Sequence, residues 1–182
     1  IPLRLVGSED VYKRQAMHHP THAAAASPAA HAPSGTEGGP GDPGALPEAH
    51  ASERLILAYY DAFNRGDWAA MLDCLAEDVA HDINQGGRQV GKQAFAAFLK
   101  HMERCYREKL VDLVVMLDAT GTRAAAEFVV EGEYLATDEG LPPAQGQRYV
   151  LPAGAFLTIR DGKIARLSMA YNLADWMRQV GG

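Results

Sequence analysis

The stretch "QRYVLPAGAFLTIRDGKIARLSMAYN", residues 147–172, decides the fold. It contains two runs rich in apolar and β-branched residues, separated by the pair Asp161-Gly162. An Asp-Gly pair between two such runs is a strong signal for a tight turn that joins antiparallel strands. The stretch therefore predicts a β-hairpin near the carboxyl end of the chain.

Two more strands are predicted upstream of this hairpin. They are "LVDLVVMLDA" at 110–119 and "TRAAAEFVVEGEYLAT" at 122–137, separated by a Thr-Gly turn. In the second run, one alternating set contains Glu127, Glu131 and Glu133, and the other contains Phe128 and apolar neighbours. Alternation of this kind predicts a sheet with one buried face and one outer face.

Before the strands, apolar residues recur at helical spacing. The first predicted helix is capped by Ser52 and ends near Gly66, and a second is capped by Asp67. A third helix is predicted from about Gly91 to Tyr106, and a short one over 173–180. The apolar positions that carry the first three helices are Leu55, Ile56, Tyr59 and Phe63; Trp68, Met71, Leu72 and Leu75; and Phe95, Phe98, Leu99 and Met102. Only one short strand fits between the second and third helices.

Helices followed by strands with short links indicate the α+β class. We expect a strongly curved antiparallel sheet packed on three N-terminal helices, which together make a cone with an apolar cavity. Residues 1–51 hold seven of the ten prolines, five of the seven histidines and one aromatic residue, Tyr12. Such a composition predicts a disordered tail over 1–51 and one folded domain over 52–182. The first 15 or so residues differ in character from the rest and are expected to be non-native.

Composition excludes several functional classes. The folded part carries 14 Lys plus Arg against 18 Asp plus Glu, without a basic stripe, so no nucleic-acid partner is expected. No stretch approaches the roughly 20 apolar residues that span a bilayer, so we expect a soluble, cytoplasmic protein without a membrane partner. Cys74 and Cys105 have no metal-type spacing and indicate free thiols. No phosphate loop or dinucleotide fingerprint is present, so no cofactor and no metal are expected.

Several motifs resemble the ketosteroid isomerase-like and SnoaL-like branch of the nuclear-transport-factor-2-like superfamily, which has a cystatin-like fold. They are "YYDAFNRGDWAAMLDCLAEDVAHD" at 59–82, "GKQAFAAFL" at 91–99, "TDEGLPPAQGQRYVLPAGAFLTIRDGKIARL" at 137–167 and "YNLADW" at 171–176. The last two resemble the subgroup of ketosteroid isomerase-related proteins. The resemblance covers residues 52–182. It implies a cone-shaped domain whose cavity holds a small apolar ligand or substrate.

The resemblance also implies site residues. Tyr59 holds the place of the family's oxyanion donor, and Asp82 aligns with its carboxylate base if one residue is deleted. A second acid of the steroid isomerases would fall near Gly154, where none is present, so a SnoaL-like cyclase fits at least as well as a steroid isomerase. Tyr59 fits an ordinary core position equally well.

Strand alternation sets a limit on the pair His81-Asp82, because neighbouring side chains of a regular strand point to opposite faces. One of the two should face the cavity, His81 if the register is ungapped and Asp82 if the family's base is retained. A solvated strand end is the remaining alternative. The expected cavity lining comprises Trp68, Phe95, Phe128, Tyr134, Phe156, Tyr171, Asn172 and Trp176. Asn172 could equally cap the last helix.

These observations predict a cofactor-independent isomerase or cyclase that transfers a proton on a small apolar carbonyl compound, with Asp82 or His81 as base and Tyr59 as donor. The alternative is a non-catalytic module that binds a small molecule or dimerises. A homodimer is expected, with the outer face of residues 122–136 as the contact.

Overall fold

The computed structural model describes residues 45–84 and 86–181, so residues 1–44 of the tail predicted over 1–51 lie outside the described residues. Four α-helices and six β-strands follow one another along this part of the chain. Their order is α1 (Ala45–Arg65), α2 (Trp68–Asp73), β1 (Leu75–Asp82), β2 (Arg88–Val90), α3 (Lys92–Cys105), β3 (Tyr106–Leu117), β4 (Arg123–Tyr134), β5 (Arg148–Arg160), β6 (Lys163–Tyr171) and α4 (Leu173–Val180). The domain is α+β, as the sequence predicted.

The six strands form one sheet in the order β2-β1-β6-β5-β4-β3. The predicted hairpin is present, since β5 pairs antiparallel with β6 and Asp161 and Gly162 form its turn with positive φ. The described strand pairs are antiparallel, as predicted, except for β1–β6, which is parallel. This pair brings β1, which comes early in the chain, beside the last strand.

One face of the sheet is buried under the helices, and we name it the inner face. On β4 the buried side chains alternate with outward ones, as predicted, and Glu127 and Glu131 are exposed. Several inward positions of β4 and β5 are small, namely Ala124, Ala126, Ala153 and Ala155. Because small side chains fill little of the space beneath a curved sheet, these alanines leave room for a cavity.

Strand β3 bends at a β-bulge. Its register with β4 shifts between Val111 and Val114, and Asp112 has φ of 54°. Next to the bulge, the Leu110 backbone N–H donates to Asn64 Oδ1 at 2.8 Å, and Asn64 Nδ2 donates to the Leu110 carbonyl at 2.9 Å. A bulge increases the local bend of a sheet. Asn64 therefore fastens the end of α1 to the bent edge strand.

Three local predictions need correction. Helix α1 begins at Ala45 rather than at a Ser52 cap, and Ser52 is a buried residue within it. Pro47 does not prevent this start, because it lies in the first turn, where backbone N–H groups have no partner within the helix. Leu75 begins β1 rather than continuing α2, and the three-residue β2 was not predicted. β1 is held by pairing with β6, which is distant in sequence, and a local pattern does not report this.

Helix length and polarity also bear on membrane insertion. Within residues 45–84 and 86–181, no helix is both long enough and apolar enough to cross a membrane.

Gly132 creates a notch on the inner face. It pairs with Tyr149 across β4 and β5, and a Cβ atom at this position would lie 2.1 Å from the Tyr149 ring. The buried ring occupies that space, and its hydroxyl donates to Glu108 Oε1 at 2.5 Å on the far side. Glycine is therefore required at 132 by close packing rather than by its backbone angles.

Replacing Gly132 with alanine should displace the Tyr149 ring and break its hydrogen bond to Glu108. We expect a loss of about 1–3 kcal/mol in the free energy of unfolding, measured by urea denaturation. Gly87→Ala is the control, since no atom lies within 4 Å of a Cβ there. Its effect should stay within about 0.5 kcal/mol. Equal stability of the two variants would contradict the packing described for Tyr149.

Candidate active site

The His81-Asp82 pair lies at the end of β1, and its two side chains point to opposite faces. His81 lies opposite Leu167 on β6 and Gln89 on β2, and it is 2% exposed. Asp82 lies opposite Ser168 and Arg88 with its side chain directed outward. The structure therefore places His81 on the inner face, and Asp82 outside the interior.

Asp82 is bound by guanidinium groups from both neighbouring strands. Arg88 Nε lies 2.6 Å from Oδ1, and Arg166 Nη2 lies 2.7 Å from Oδ2. Hydrogen bonding to Arg88 is the main reason that the pKa of Asp82 is lowered, and Arg166 adds to the effect. A carboxylate held in this way is a weak proton acceptor. The two ion pairs connect β1 to β2 and to β6, and we name them together the Asp82 clamp.

His81 is enclosed by aromatic rings. The centroid of its imidazole lies 5.0 Å from that of Phe95 and 4.4 Å from that of Phe98. Burial lowers the pKa of His81 to about 4, although the neighbouring charge of Asp82 opposes this shift. The imidazole is therefore neutral at physiological pH and retains a free lone pair.

Among the described residues, two buried polar atoms near this point have no hydrogen-bond partner, His81 Nδ1 and Gln89 Oε1. The two residues are cross-strand partners between β1 and β2. Buried polar atoms are nearly always satisfied, and exceptions are common where a ligand or water binds. This pair is the strongest indication of a binding position on the inner face.

An apolar inner cavity of about 50 Å³ lies between the helices and the sheet. Its walls include Tyr59, Tyr60 and Phe128, and the Tyr60 hydroxyl is another buried group without a partner. Burial raises the pKa of Tyr59 and of Tyr60 above the ordinary tyrosine value. Both hydroxyls therefore stay protonated and can donate a hydrogen bond.

Phe98 connects the inner cavity to His81. Its ring is part of the cavity wall and also contacts the imidazole edge-on. His81 itself is not part of that wall. The imidazole thus lies behind Phe98 as seen from the cavity.

A wider outer groove of about 390 Å³ adjoins the inner cavity. It is lined by the end of α1, the start of α2, the end of α3 and the start of β3. Phe63 and Met102 belong to the walls of both spaces. Arg65, Arg107 and Glu103 make the groove polar, in contrast to the cavity.

The predicted lining residues are distributed over several places. Phe128 is in the cavity wall, Trp68 lines the outer groove, and Phe95 packs on His81. Tyr134 and Trp176 contact each other at 5.2 Å in an aromatic cluster at the base of α4. They lie outside both walls, because α4 covers that end of the sheet.

Three further predicted residues lie at the sheet surface or at its edge. Phe156 is 56% exposed on the outer face and does not line the cavity, since β5 alternates and Leu157 takes the inward position. Asn172 is the cap of α4, with its side chain accepting from the Asp175 N–H at 3.1 Å. Asn84 Nδ2 donates to the Tyr171 carbonyl at 3.2 Å, and Tyr171 is partly buried beside it.

The sequence did not single out Glu108 and Tyr149. Glu108 lies on the wall of the outer groove and accepts the Tyr149 hydroxyl across Gly132. Burial and the nearby Glu108 charge raise the pKa of Tyr149. Gly132 lies opposite both residues, Glu108 on β3 and Tyr149 on β5. This glycine is the signal in the sequence, but it can be recognised only when the strand register is known.

The fold and the enclosed apolar cavity define a nuclear-transport-factor-2-like domain. An "ntf2-like protein of unknown function" from Burkholderia pseudomallei shares this fold at a TM-score of 0.61 with 17% identity, covering 72% of this chain and 98% of that chain. The family model of the SnoaL-like domain matches residues 56–167, and the chain belongs to this family. No curated protein matches the chain.

Two solved structures are much more similar in sequence. A "putative polyketide cyclase" from Pseudomonas putida KT2440 is 65% identical, with a TM-score of 0.70, and the match covers 71% of this chain and 97% of that chain. Another "putative polyketide cyclase", from Xanthomonas campestris pv. campestris, is 57% identical, with a TM-score of 0.71, covering 72% and 98%.

The Asp82 clamp predicts a pH-dependent contribution to stability. Because its pKa is lowered in the folded state, the stabilisation is present above the ordinary carboxyl pKa and is lost as pH falls through the folded-state value. Asp82→Asn should therefore cost about 1 kcal/mol at pH 7 and almost nothing at an acidic pH at which Asp82 is protonated in the folded state. Urea denaturation of wild type and variant at both pH values measures the difference.

Asp78→Asn is the matched control, because the Asp78–Arg160 ion pair is exposed on both sides. It should change stability by less than about 0.5 kcal/mol at either pH. A pH-independent effect of Asp82→Asn would show that the carboxylate does not act through its charge.

Proposed function

We propose that this protein is a cofactor-independent enzyme of the cyclase or isomerase type, which transfers a proton on a small apolar carbonyl compound. The observation that carries the proposal is the neutral His81 imidazole, buried on the inner face with Nδ1 unpaired beside the cavity. A base in a dry, apolar site can abstract a proton from carbon next to a carbonyl. The names of the similar structures, "putative polyketide cyclase", fit this reaction class.

The low pKa of His81 limits the substrate. An imidazole with a pKa of about 4 is a weak base, so proton transfer is efficient only from a carbon acid that is itself activated. A carbon between two carbonyl groups is acidified by both, whereas a carbon beside a single ketone is acidified by only one and loses its proton less readily. We therefore expect a β-dicarbonyl compound rather than a simple ketone. This also favours a cyclase over steroid isomerisation.

A developing enolate oxygen needs a hydrogen-bond donor. Tyr59 holds the family's donor position and lines the inner cavity, and the Tyr60 hydroxyl beside it is unpaired. The two rings contact at 5.1 Å between centroids. We assign the donor role to Tyr59, with Tyr60 as its neighbour in the same wall.

Cavity size indicates how a substrate lies. Pockets for drug-sized ligands have volumes of roughly 300–1,000 Å³. The inner cavity, at about 50 Å³, holds only the reacting end of such a molecule. The remainder fits the outer groove of about 390 Å³, past Phe63 and Met102.

Deuterium exchange at the activated carbon of a panel of small β-dicarbonyl compounds tests the base directly. His81→Gln should lower the protein-catalysed exchange rate by roughly 100-fold or more, because the base is lost. In wild type, the rate should be constant from about pH 5 upward and fall below a midpoint of about 4, as the imidazole becomes protonated. Proton NMR in deuterated buffer measures both.

Asp82→Asn is the control for this experiment, because Asp82 lies outside the interior. It should retain the exchange activity while folded. Loss of activity in Asp82→Asn with none in His81→Gln would contradict the assignment of His81 as base. An acid limb near pH 6.5, the ordinary histidine value, would contradict the buried environment described for it.

The second candidate function is non-catalytic binding of a small apolar molecule. It is favoured by the position of His81 behind Phe98 and by the apolar wall of the inner cavity. In that case β-dicarbonyl compounds would bind with Phe98 ring shifts visible by NMR, but wild-type exchange would not exceed that of buffer alone.

We also propose that the protein is a homodimer that pairs through the outer face of the sheet. Four large apolar side chains are exposed there, Val114, Met116, Val150 and Phe156. Met116, Ala125 and Phe156 lie side by side across β3, β4 and β5, which places them in one row. Apolar rows on an exposed sheet face are typical of subunit contacts.

Phe156→Glu should convert the dimer to a monomer, because it puts a charge into the middle of this row. Light scattering coupled to size-exclusion chromatography measures the molar mass at several protein concentrations. Leu57→Glu is the control, since Leu57 is 44% exposed on α1 rather than on the sheet. A monomeric wild type, or a dimer in both variants, would contradict the proposed contact.

A further inference from the structure

Three potential metal ligands meet at the end of α3. His101 and Cys105 lie one turn apart on the helix, and Asp138 comes from the loop after β4. One ligand atom from each of the three lies within 4.8 Å of the others. The closest pair is His101 Nε2 and Asp138 Oδ2, at 2.8 Å. This cluster is separate from the inner cavity and from His81.

From this geometry we propose that His101, Cys105 and Asp138 bind a zinc-type transition-metal ion. Thiolate, imidazole and carboxylate are the three donor types that zinc takes in proteins. Cys105 and Asp138 are buried and His101 is partly exposed, so the ion has both a dry site and an entry path. Three protein ligands leave one position for water.

The carboxylate is already oriented by its surroundings. The Tyr106 hydroxyl donates to Asp138 Oδ2 at 2.9 Å, and the Glu139 N–H donates to Oδ1 at 2.8 Å. The Asp138 N–H in turn donates to the Tyr134 hydroxyl at 2.8 Å. Metal-binding carboxylates are commonly held by such outer hydrogen bonds, which fix their direction.

Charge and protons balance in the bound state. A neutral imidazole, a thiolate and a carboxylate carry two negative charges, which a divalent ion neutralises. Binding releases the thiol proton of Cys105 to solvent. If Nε2 of His101 binds the metal, the ring proton moves to Nδ1, and the exposed Arg104, which lies 3.1 Å from Nδ1, turns away. Arg104 can do this at low cost because it lies on the surface.

A bound ion would fasten the loop after β4 to α3. Two hydrogen bonds already connect them, from the backbone N–H groups of Leu135 and Ala136 to the Cys105 carbonyl at 2.8 and 3.3 Å. Leu135 also lines the outer groove. The ion would therefore stabilise one wall of that groove.

Titration of the full chain with cobalt(II) tests the site, because a thiolate bound to cobalt gives an intense near-ultraviolet charge-transfer band. We expect this band at one cobalt per chain, and its loss on addition of zinc, which binds more tightly. Cys105→Ser should abolish the band. Tyr106→Phe should weaken binding by roughly tenfold, since it removes an outer hydrogen bond to Asp138.

Cys74→Ser is the matched control, since Cys74 is the other free cysteine and belongs to no such cluster in the part of the chain that the structure describes. It should keep the band unchanged. The histidines at 18, 19, 22, 31 and 50 can bind cobalt as well, but without a thiolate band. A wild type without the band, or a band that survives in Cys105→Ser, would overturn the proposal and leave the three side chains as a hydrogen-bonded contact of the loop.

Discussion

The position of β1 between β2 and β6 is the constraint on which the interior depends, and the ion pairs of Asp82 with Arg88 and Arg166 lie at its end. They join three strands at the end of β1, where β1 is paired antiparallel on one side and parallel on the other. A strand shifted by one residue would turn every side chain to the opposite face. In this register Asp82 faces the two arginines on the outside and His81 faces the interior.

The environments on the two sides of β1 shift the pKa values of the neighbouring residues His81 and Asp82 for different reasons. Outside, positive charges keep Asp82 ionised, and inside, burial keeps His81 neutral. Neither group has its ordinary affinity for protons, although they are adjacent in sequence. Direction relative to the sheet, rather than residue type alone, determines which of the two is available for chemistry.

Much of the fold follows from local patterns. The Asp161-Gly162 turn, the alternation on β4 and the helical spacing of residues such as Phe95 and Leu99 each report a local property of the chain, and together they define the α+β class. The family resemblance is confirmed by the SnoaL-like match over 56–167. The either-or choice at 81 and 82 also followed from alternation, but its outcome required the register of β1.

Other features depend on contacts between distant residues and are invisible to local patterns. The pairing of Glu108 with Tyr149 requires the β3-β4-β5 register, and the meeting of Asp138 with His101 requires the path of a loop. Phe156 is a large aromatic residue of the kind that lines apolar cavities, but its position in β5 places it on the outer face. Spacing in sequence carries no information on which face or loop will come together.

The bonds from Asn64 to Leu110 have a consequence for how the sheet meets other chains. An exposed edge strand offers unpaired backbone groups to any extended peptide, and proteins avoid this by shortening or covering their edges. One edge here is the three-residue β2, and the other is β3, where a side-chain amide occupies both backbone groups of Leu110. Sideways addition of a strand is thus hindered at Leu110 on one edge and limited to three residues on the other.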